Sequence, residues 1–367
     1  MLTDWLQFIA SCAGVVFGGF FCVRYADRLG DLTGLGKVWA GAILLTLATS
    51  LPELVTGVSA VAFQRAPELS AGGVFGAVAV NLTTIGLLGL RPRWRAMLTT
   101  RPEGTGALAL MGLVIAAAAG VAVLLGRPSL GLPAGLLIGL PPLILLGYAA
   151  ASVRLFKKGA DDGRAAASSD GSDHAGGRGN GAAREISHGQ NGTPKQVWQR
   201  PMTRAVTGYL FFGGVVAAAG FFAAGAAEGL AKSTGWSESF VGSQFLSIAT
   251  TLPEITVGLV ALRQGGVELA LANQLGSVAF NLGVVLPAQS LASGSSPYLS
   301  RISGVHAVTA LAVCVMAGLA MWRGIGAGRT AEGSVALLRR APPAVLRGLA
   351  IVGIYAAVNV MNFLVGK

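Results

Sequence analysis

Charge is scarce in this chain. Only 12% of its 367 residues are Asp, Glu, Lys or Arg, against 53% hydrophobic, and the mean hydropathy is +0.65. That balance excludes an ordinary soluble domain and fits a polytopic membrane protein. Acidic residues are scarcer than basic ones, 16 against 27. The resulting net charge of +11 does not point to nucleic acid, because the basic residues fall between apolar runs, as loops at a membrane surface do. Cys12, Cys22 and Cys314 have no paired spacing, so neither a disulfide framework nor a zinc site is indicated. No phosphate-cradling loop and no nucleophile–base set occurs, so enzyme chemistry has no support. The N-terminus lacks a basic region before its apolar run, and the first span is expected to be retained rather than cleaved.

Apolar runs and glycine are plentiful. The 54 glycines suit close helix contacts in lipid. A span needs about 20 apolar residues. Ten are expected, at 5–23, 38–62, 68–90, 105–125, 130–151, 205–227, 239–262, 267–290, 303–322 and 345–364. They divide five and five around 152–204, a stretch rich in Gly, Ser and Asp with neither apolar periodicity nor EF-hand spacing, which reads as a flexible linker. The domains expected are a first membrane half at 1–151, the linker at 152–204 and a second half at 205–367. With the N-terminus outside, 22 of the 27 Lys and Arg face inward and only Arg65, Arg127, Lys232, Arg301 and Lys367 face outward. That bias selects a cytoplasmic linker and external termini, in the plasma membrane. Lipids and small cations are the partners expected.

Two stretches inside these runs echo each other: Ala48-Thr49-Ser50-Leu51-Pro52-Glu53 and Ala249-Thr250-Thr251-Leu252-Pro253-Glu254. A carboxylate at bilayer depth costs roughly 2.5–3.5 kcal/mol even on forgiving insertion scales, and is a functional site by default. Each proline denies its helix an N–H and clashes with the carbonyl four residues back, at Ala48 or Ala249, so both helices are expected to be interrupted there. Broken backbone survives in a membrane only where it is buried in protein or lines a wet cavity. Carbonyls, hydroxyls and a carboxylate together form the all-oxygen set that hard cations prefer.

The echo extends further. Leu47–Ala62 matches Ile248–Arg263 at an offset of 201, and Glu68–Leu82 matches Glu268–Leu282 at an offset of 200. The second alignment pairs Asn81 with Asn281, each after a Gly-containing turn. An odd number of spans per half makes the halves antiparallel, so the expected fold is an all-α integral membrane protein of ten transmembrane helices in two inverted five-helix repeats. Glu53 and Glu254 are then expected to meet at the midplane. Other polar positions have two readings each. Glu68 and Glu268 either attract cations to the vestibules or complement a helix N-terminus. Asn273 and Gln274 either add polarity to the site or only pack. His306 either senses pH or has no special role.

The paired motifs resemble the cation/calcium exchanger superfamily, which includes the sodium/calcium exchangers. The alpha repeats of that family carry Gly-Thr-Ser-x-Pro-Glu in one helix and Gly-Ser-Asn-x-x-Asn or Asp in the next. Here the second helices read Gly76-Ala77-Val78-Ala79-Val80-Asn81 and Gly276-Ser277-Val278-Ala279-Phe280-Asn281. The resemblance implies antiport of Ca²⁺ against Na⁺ or H⁺ by alternating access, with no cofactor beyond the transported cations. It implies cation ligands at Glu53, Asn81, Glu254 and Asn281, supported by Thr49, Ser50, Thr250, Thr251 and Ser277. The chain departs from the pattern at Ala77, Val78 and Val278, which lack donors, and at Asn281, where sodium/calcium exchangers often carry Asp. Two carboxylates remain, formally neutralising one Ca²⁺ or two monovalent ions. Three readings stay open: exchange of Ca²⁺ for Na⁺, exchange of a divalent cation for H⁺, and a non-transporting cation-binding or sensor protein.

Overall fold

A computed structural model describes residues 1–33, 45–90, 105–170, 194–263, 267–321 and 343–365, and every long element among them is helical. The first half holds α1 (Leu2–Thr33), the short α2 (Thr46–Thr49), α3 (Leu51–Ala62), α4 (Pro67–Leu90), α5 (Thr105–Leu125) and α6 (Ala134–Asp170). The second begins with α7 (Pro194–Thr234). Next come α8, which runs Glu238–Val241, a π turn at Gly242–Leu246 and Ser247–Arg263, and α9, which runs Val267–Phe280, a π turn at Asn281–Val285 and Leu286–Ala292. α10 (Val305–Met321) and α11 (Pro343–Val365) complete the described chain. Eight helices are long and apolar enough to cross a membrane, and Leu51–Ala62 and Val305–Ala320 are shorter apolar helices.

Burial separates centre from periphery. The apolar windows of α4 and α9 are 78% and 89% buried, whereas those of α6 and α11 are 17% and 22% buried. The two central helices are therefore the partner helices of the echoed motifs. α1 lies along α7, with Phe21 stacked on Phe212 at 4.7 Å, and presents Leu6, Ile9, Phe17 and Phe20 outward. Exposed apolar faces of this kind match lipid rather than water. α4 meets the π turn of α8 almost backbone to backbone. A side chain at Gly72 would collide with the Ser239 carbonyl, and one at Gly242 with the Leu69 carbonyl and the Gly73 amide.

Two expectations need correction. The first proline does interrupt its helix: Ser50, at φ −90° and ψ 7°, separates α2 from α3, and Pro52 takes the first turn of α3, where a missing N–H costs nothing. The second does not. α8 continues through Pro253. Local irregularity sits instead at the π turn upstream, and two hydroxyls bond carbonyls around it: Ser247 donates to the Ser243 carbonyl at 2.5 Å and Thr251 to the Ser247 carbonyl at 2.6 Å. The segment 152–204 is also more helical than its composition suggests. α6 continues to Asp170 and α7 starts at Pro194. Ala160 and Ala165–Ala167 favour helix strongly enough to prolong it past the apolar span. Residues 171–193 of the expected linker lie outside the described residues, as do 38–44 of the second expected span.

Candidate functional site

The first turn of α3 carries Glu53, and the middle of α8 carries Glu254. Both are buried, at 3% and 0% exposure. Their hydrogen bonds are crossed. Thr251, from the second motif, donates to Glu53 Oε1 at 3.1 Å. Ser50, its counterpart in the first, donates to Glu254 Oε1 at 3.0 Å. Each carboxylate is thus held by the hydroxyl three residues before the other, and the two motifs form one cluster. Ser277 joins from α9, its Oγ 3.1 Å from that of Ser50 and 3.5 Å from Glu254 Oε1.

The remaining predicted residues divide. Asn81 on α4 and Asn281 at the π turn of α9 are fully buried, and neither carboxamide has a hydrogen-bond partner among the described residues. The second oxygen of each glutamate, Oε2, is also unpaired. Buried polar atoms without partners are uncommon and call for an explanation. Thr49 and Thr250 turn partly toward their own helices. Thr49 donates to the Thr46 carbonyl at 3.4 Å, and Thr250 to the Ser247 carbonyl at 3.3 Å. Thr49 also lies 3.4 Å from Asn273 Oδ1. Asn273 thereby enters the polar cluster. The sequence left its role open because the first repeat has Gly73 in its place.

The chemistry of the cluster follows from its atoms. The buried unpaired oxygens among the described residues include both glutamate Oε2 atoms and the carboxamide oxygens of Asn81, Gln274 and Asn281, hard donors suited to alkali or alkaline-earth cations. No group of three or more His, Cys, Asp or Glu gathers to hold a metal among the described residues.

A second polar cluster lies at the start of α4. Glu68 accepts from Ser239 Oγ at 2.6 Å and from the Ser303 backbone amide, and its Oε2 is 2.8 Å from Nε2 of the fully buried His306. Glu68 and His306, treated separately in the sequence, belong to one hydrogen-bonded cluster joining α4, α8 and α10. Glu68 is committed to these donors. The side chain of Glu268 lies outside the described residues.

Comparison with known proteins gives the family and the fold. The family model described as "Sodium/calcium exchanger protein" matches residues 3–153 and 204–364, the two helical halves on either side of the middle segment. Among solved structures, the sodium-calcium exchanger NCX_Mj soaked with 2.5 mM Na⁺ and 10 mM Sr²⁺ is similar at 17% identity, with a TM-score of 0.57 over 97% of both chains. The same exchanger soaked with 2.5 mM Na⁺ and 0.1 mM Ca²⁺ gives 16% identity and a TM-score of 0.57 over 97% of both chains. Native YfkE gives 15% identity and a TM-score of 0.57 over 98% of this chain and 99% of its own. At such identities the likeness is one of fold. No curated protein matches the chain. The family is one of transporters rather than enzymes, and its model spans the buried glutamate pair together with the apolar helices around it: the chain is an integral membrane protein that belongs to the sodium/calcium exchanger family.

Proposed function

We propose that this chain is a secondary active cation antiporter that exchanges Ca²⁺ for Na⁺ by alternating access. The observation that carries the reading is the crossed pair of hydrogen bonds, Thr251 to Glu53 and Ser50 to Glu254. It draws two acids from distant parts of the chain into one buried cluster and leaves one oxygen of each free. In the proposed site Glu53 and Glu254 are the charged ligands, Asn81 and Asn281 the neutral ones, and Thr49, Ser50, Thr250, Thr251 and Ser277 supply supporting oxygens. Occupancy by one Ca²⁺ or by two Na⁺ neutralises the same two charges, so the ions compete for one site, and competition is what couples their movements.

The architecture proposed to move this site is ten spans in two inverted halves. Eight long apolar helices and two shorter ones supply that number, and the sequence repeat supplies the inversion. The Lys and Arg distribution supports a cytoplasmic middle segment with both termini outside, and the plasma membrane is the proposed setting. Contacts of the exposed apolar faces with lipid complete the partners.

A second reading is favoured by one observation. Asn281 stands where an acid would add a third charge, and a desolvated glutamate takes a proton as readily as a sodium ion. Under it the counter-ion is H⁺. Proteoliposomes separate the two. Calcium uptake driven by an outward Na⁺ gradient is expected. Uptake that follows a pH gradient and ignores Na⁺ selects the second reading, and Ca²⁺ binding without flux selects a sensor.

A further inference from the structure

We propose that Gln289 and Gln274 are plugs that close the glutamate cluster from opposite sides of the membrane, and that ions enter from either side only when the corresponding carboxamide swings away. The proposal rests on the antiporter reading above and adds to it the groups that gate each side.

Gly57 and Gly258 occupy equivalent places in the sequence repeat, each four residues, or one turn, beyond its glutamate. Each glycine leaves a gap where a side chain would begin, and a glutamine from α9 fills it. At Gly57, Nε2 of Gln289 occupies the position a Cβ would take, with its Cδ 3.1 Å away. At Gly258, Nε2 of Gln274 lies 3.1 Å from the Cβ position. Both glutamines are buried, at 0% and 1% exposure.

The two plugs are well separated along α9: Gln289 follows Gln274 by fifteen residues, about 22 Å at 1.5 Å per residue, and Ser277, whose Oγ is 3.5 Å from Glu254 Oε1, lies between them. Under the proposed topology Gln289 faces outward and Gln274 inward. The repeat alone does not supply the pair, because Val74 and Gly89 hold the corresponding places of the first half.

Their bonding suits a moving part. Each carboxamide has a single tether. Gln289 Oε1 accepts from the buried Tyr298 hydroxyl at 3.1 Å, and Gln274 Nε2 donates to the Glu254 backbone carbonyl at 3.1 Å. The other end of each, Gln289 Nε2 and Gln274 Oε1, is buried without a partner. An apolar side chain would fill the same space without that penalty. A carboxamide leaves the plug weakly held and lets it present an oxygen to a passing cation, which an apolar plug cannot do.

The test is the aqueous accessibility of the two acids, read in the full chain in sealed proteoliposomes. A water-soluble carbodiimide with glycine methyl ester is applied from one face, and labelling at Glu53 and Glu254 is quantified by peptide mass spectrometry. Gln289→Ala is expected to raise labelling of the glutamate cluster from the outer face about tenfold, equivalent to ~1.4 kcal/mol in the opening equilibrium, with little change from the inner face. Gln274→Ala is expected to raise labelling from the inner face by a similar factor, with little change from the outer face. Gly57→Ala expels the Gln289 carboxamide without emptying a cavity and is expected to match Gln289→Ala. It serves as the deciding variant if the latter does not fold. Unchanged labelling in the folded variants, or a rise from both faces alike as general loosening would give, overturns the proposal. The readout needs no transport, so a wild-type chain that moves no ions sinks the antiporter reading while labelling still decides the plugs.

Discussion

Glu53 and Glu254 are costly residues in this position, and their hydroxyl partners compensate for only part of that cost. One oxygen of each is served by Thr251 or Ser50, and the other has no partner among the described residues. A cation that binds the free oxygens stabilises the folded state by mass action, by about 2.7 kcal/mol at a hundredfold excess over its dissociation constant. Ca²⁺ is therefore expected to raise the melting temperature of the wild-type chain in detergent. Glu53→Gln and Glu254→Gln are expected to lose that rise and to abolish exchange in proteoliposomes. Near-normal flux in both variants would reject the ligand assignment. Asn281→Asp adds a third acid beside the pair and is expected to strengthen Ca²⁺ binding at neutral pH, measured as a lower apparent dissociation constant. Weaker binding there would place Asn281 away from the ion.

At the scale of elements, the contact between α4 and the π turn of α8 sets the spacing of the site. Gly242 has backbone atoms against it on the far side, and backbone cannot rotate away as a side chain can. Gly242→Val is expected to destabilise the chain by about 1–3 kcal/mol, the usual cost of forced overpacking. Gly139→Ala, on the peripheral α6 with nothing within 4 Å, is expected to be neutral or slightly stabilising. Thermal unfolding of the two variants side by side checks the contrast. Glu68 has a related role where α4 begins, since it accepts from Ser239 and the Ser303 amide and faces His306. Glu68→Ala orphans those groups and is expected to cost about 1–3 kcal/mol in the same measurement. A melting temperature equal to wild type would show that solvent replaces the carboxylate without loss.

For the whole molecule, the charge count governs energetics. Two central carboxylates balance one divalent ion or two monovalent ions, so neither loaded form carries net charge across the bilayer. Moving one uncompensated charge costs about 2.3 kcal/mol per 100 mV, a large effect on rate. Exchange in proteoliposomes clamped at zero or at an inside-negative potential is expected to run at the same rate. Several-fold dependence on voltage would mean that a third monovalent ion accompanies each cycle.

Composition and local pattern were enough for much of this. Long apolar runs require helices, because a bilayer core cannot solvate open backbone, and a repeated Pro-Glu and Asn at rare polar positions reveals duplication. The pairing of the two acids, the hydroxyls beside them and the burial of the two Asn were legible for that reason. Packing decided the rest. The helix breaks at Ser50 just before Pro52 while α8 continues through Pro253, although the local sequences are nearly the same. Asn273 and Gln289 gained places around the site, and Glu68 found His306, only when α9 and α10 folded against helices some two hundred residues away. Periodicity along one helix fixes which face is apolar. Which side chain fills the gap at a glycine on another helix depends on three-dimensional contact, and no spacing within a single segment encodes it.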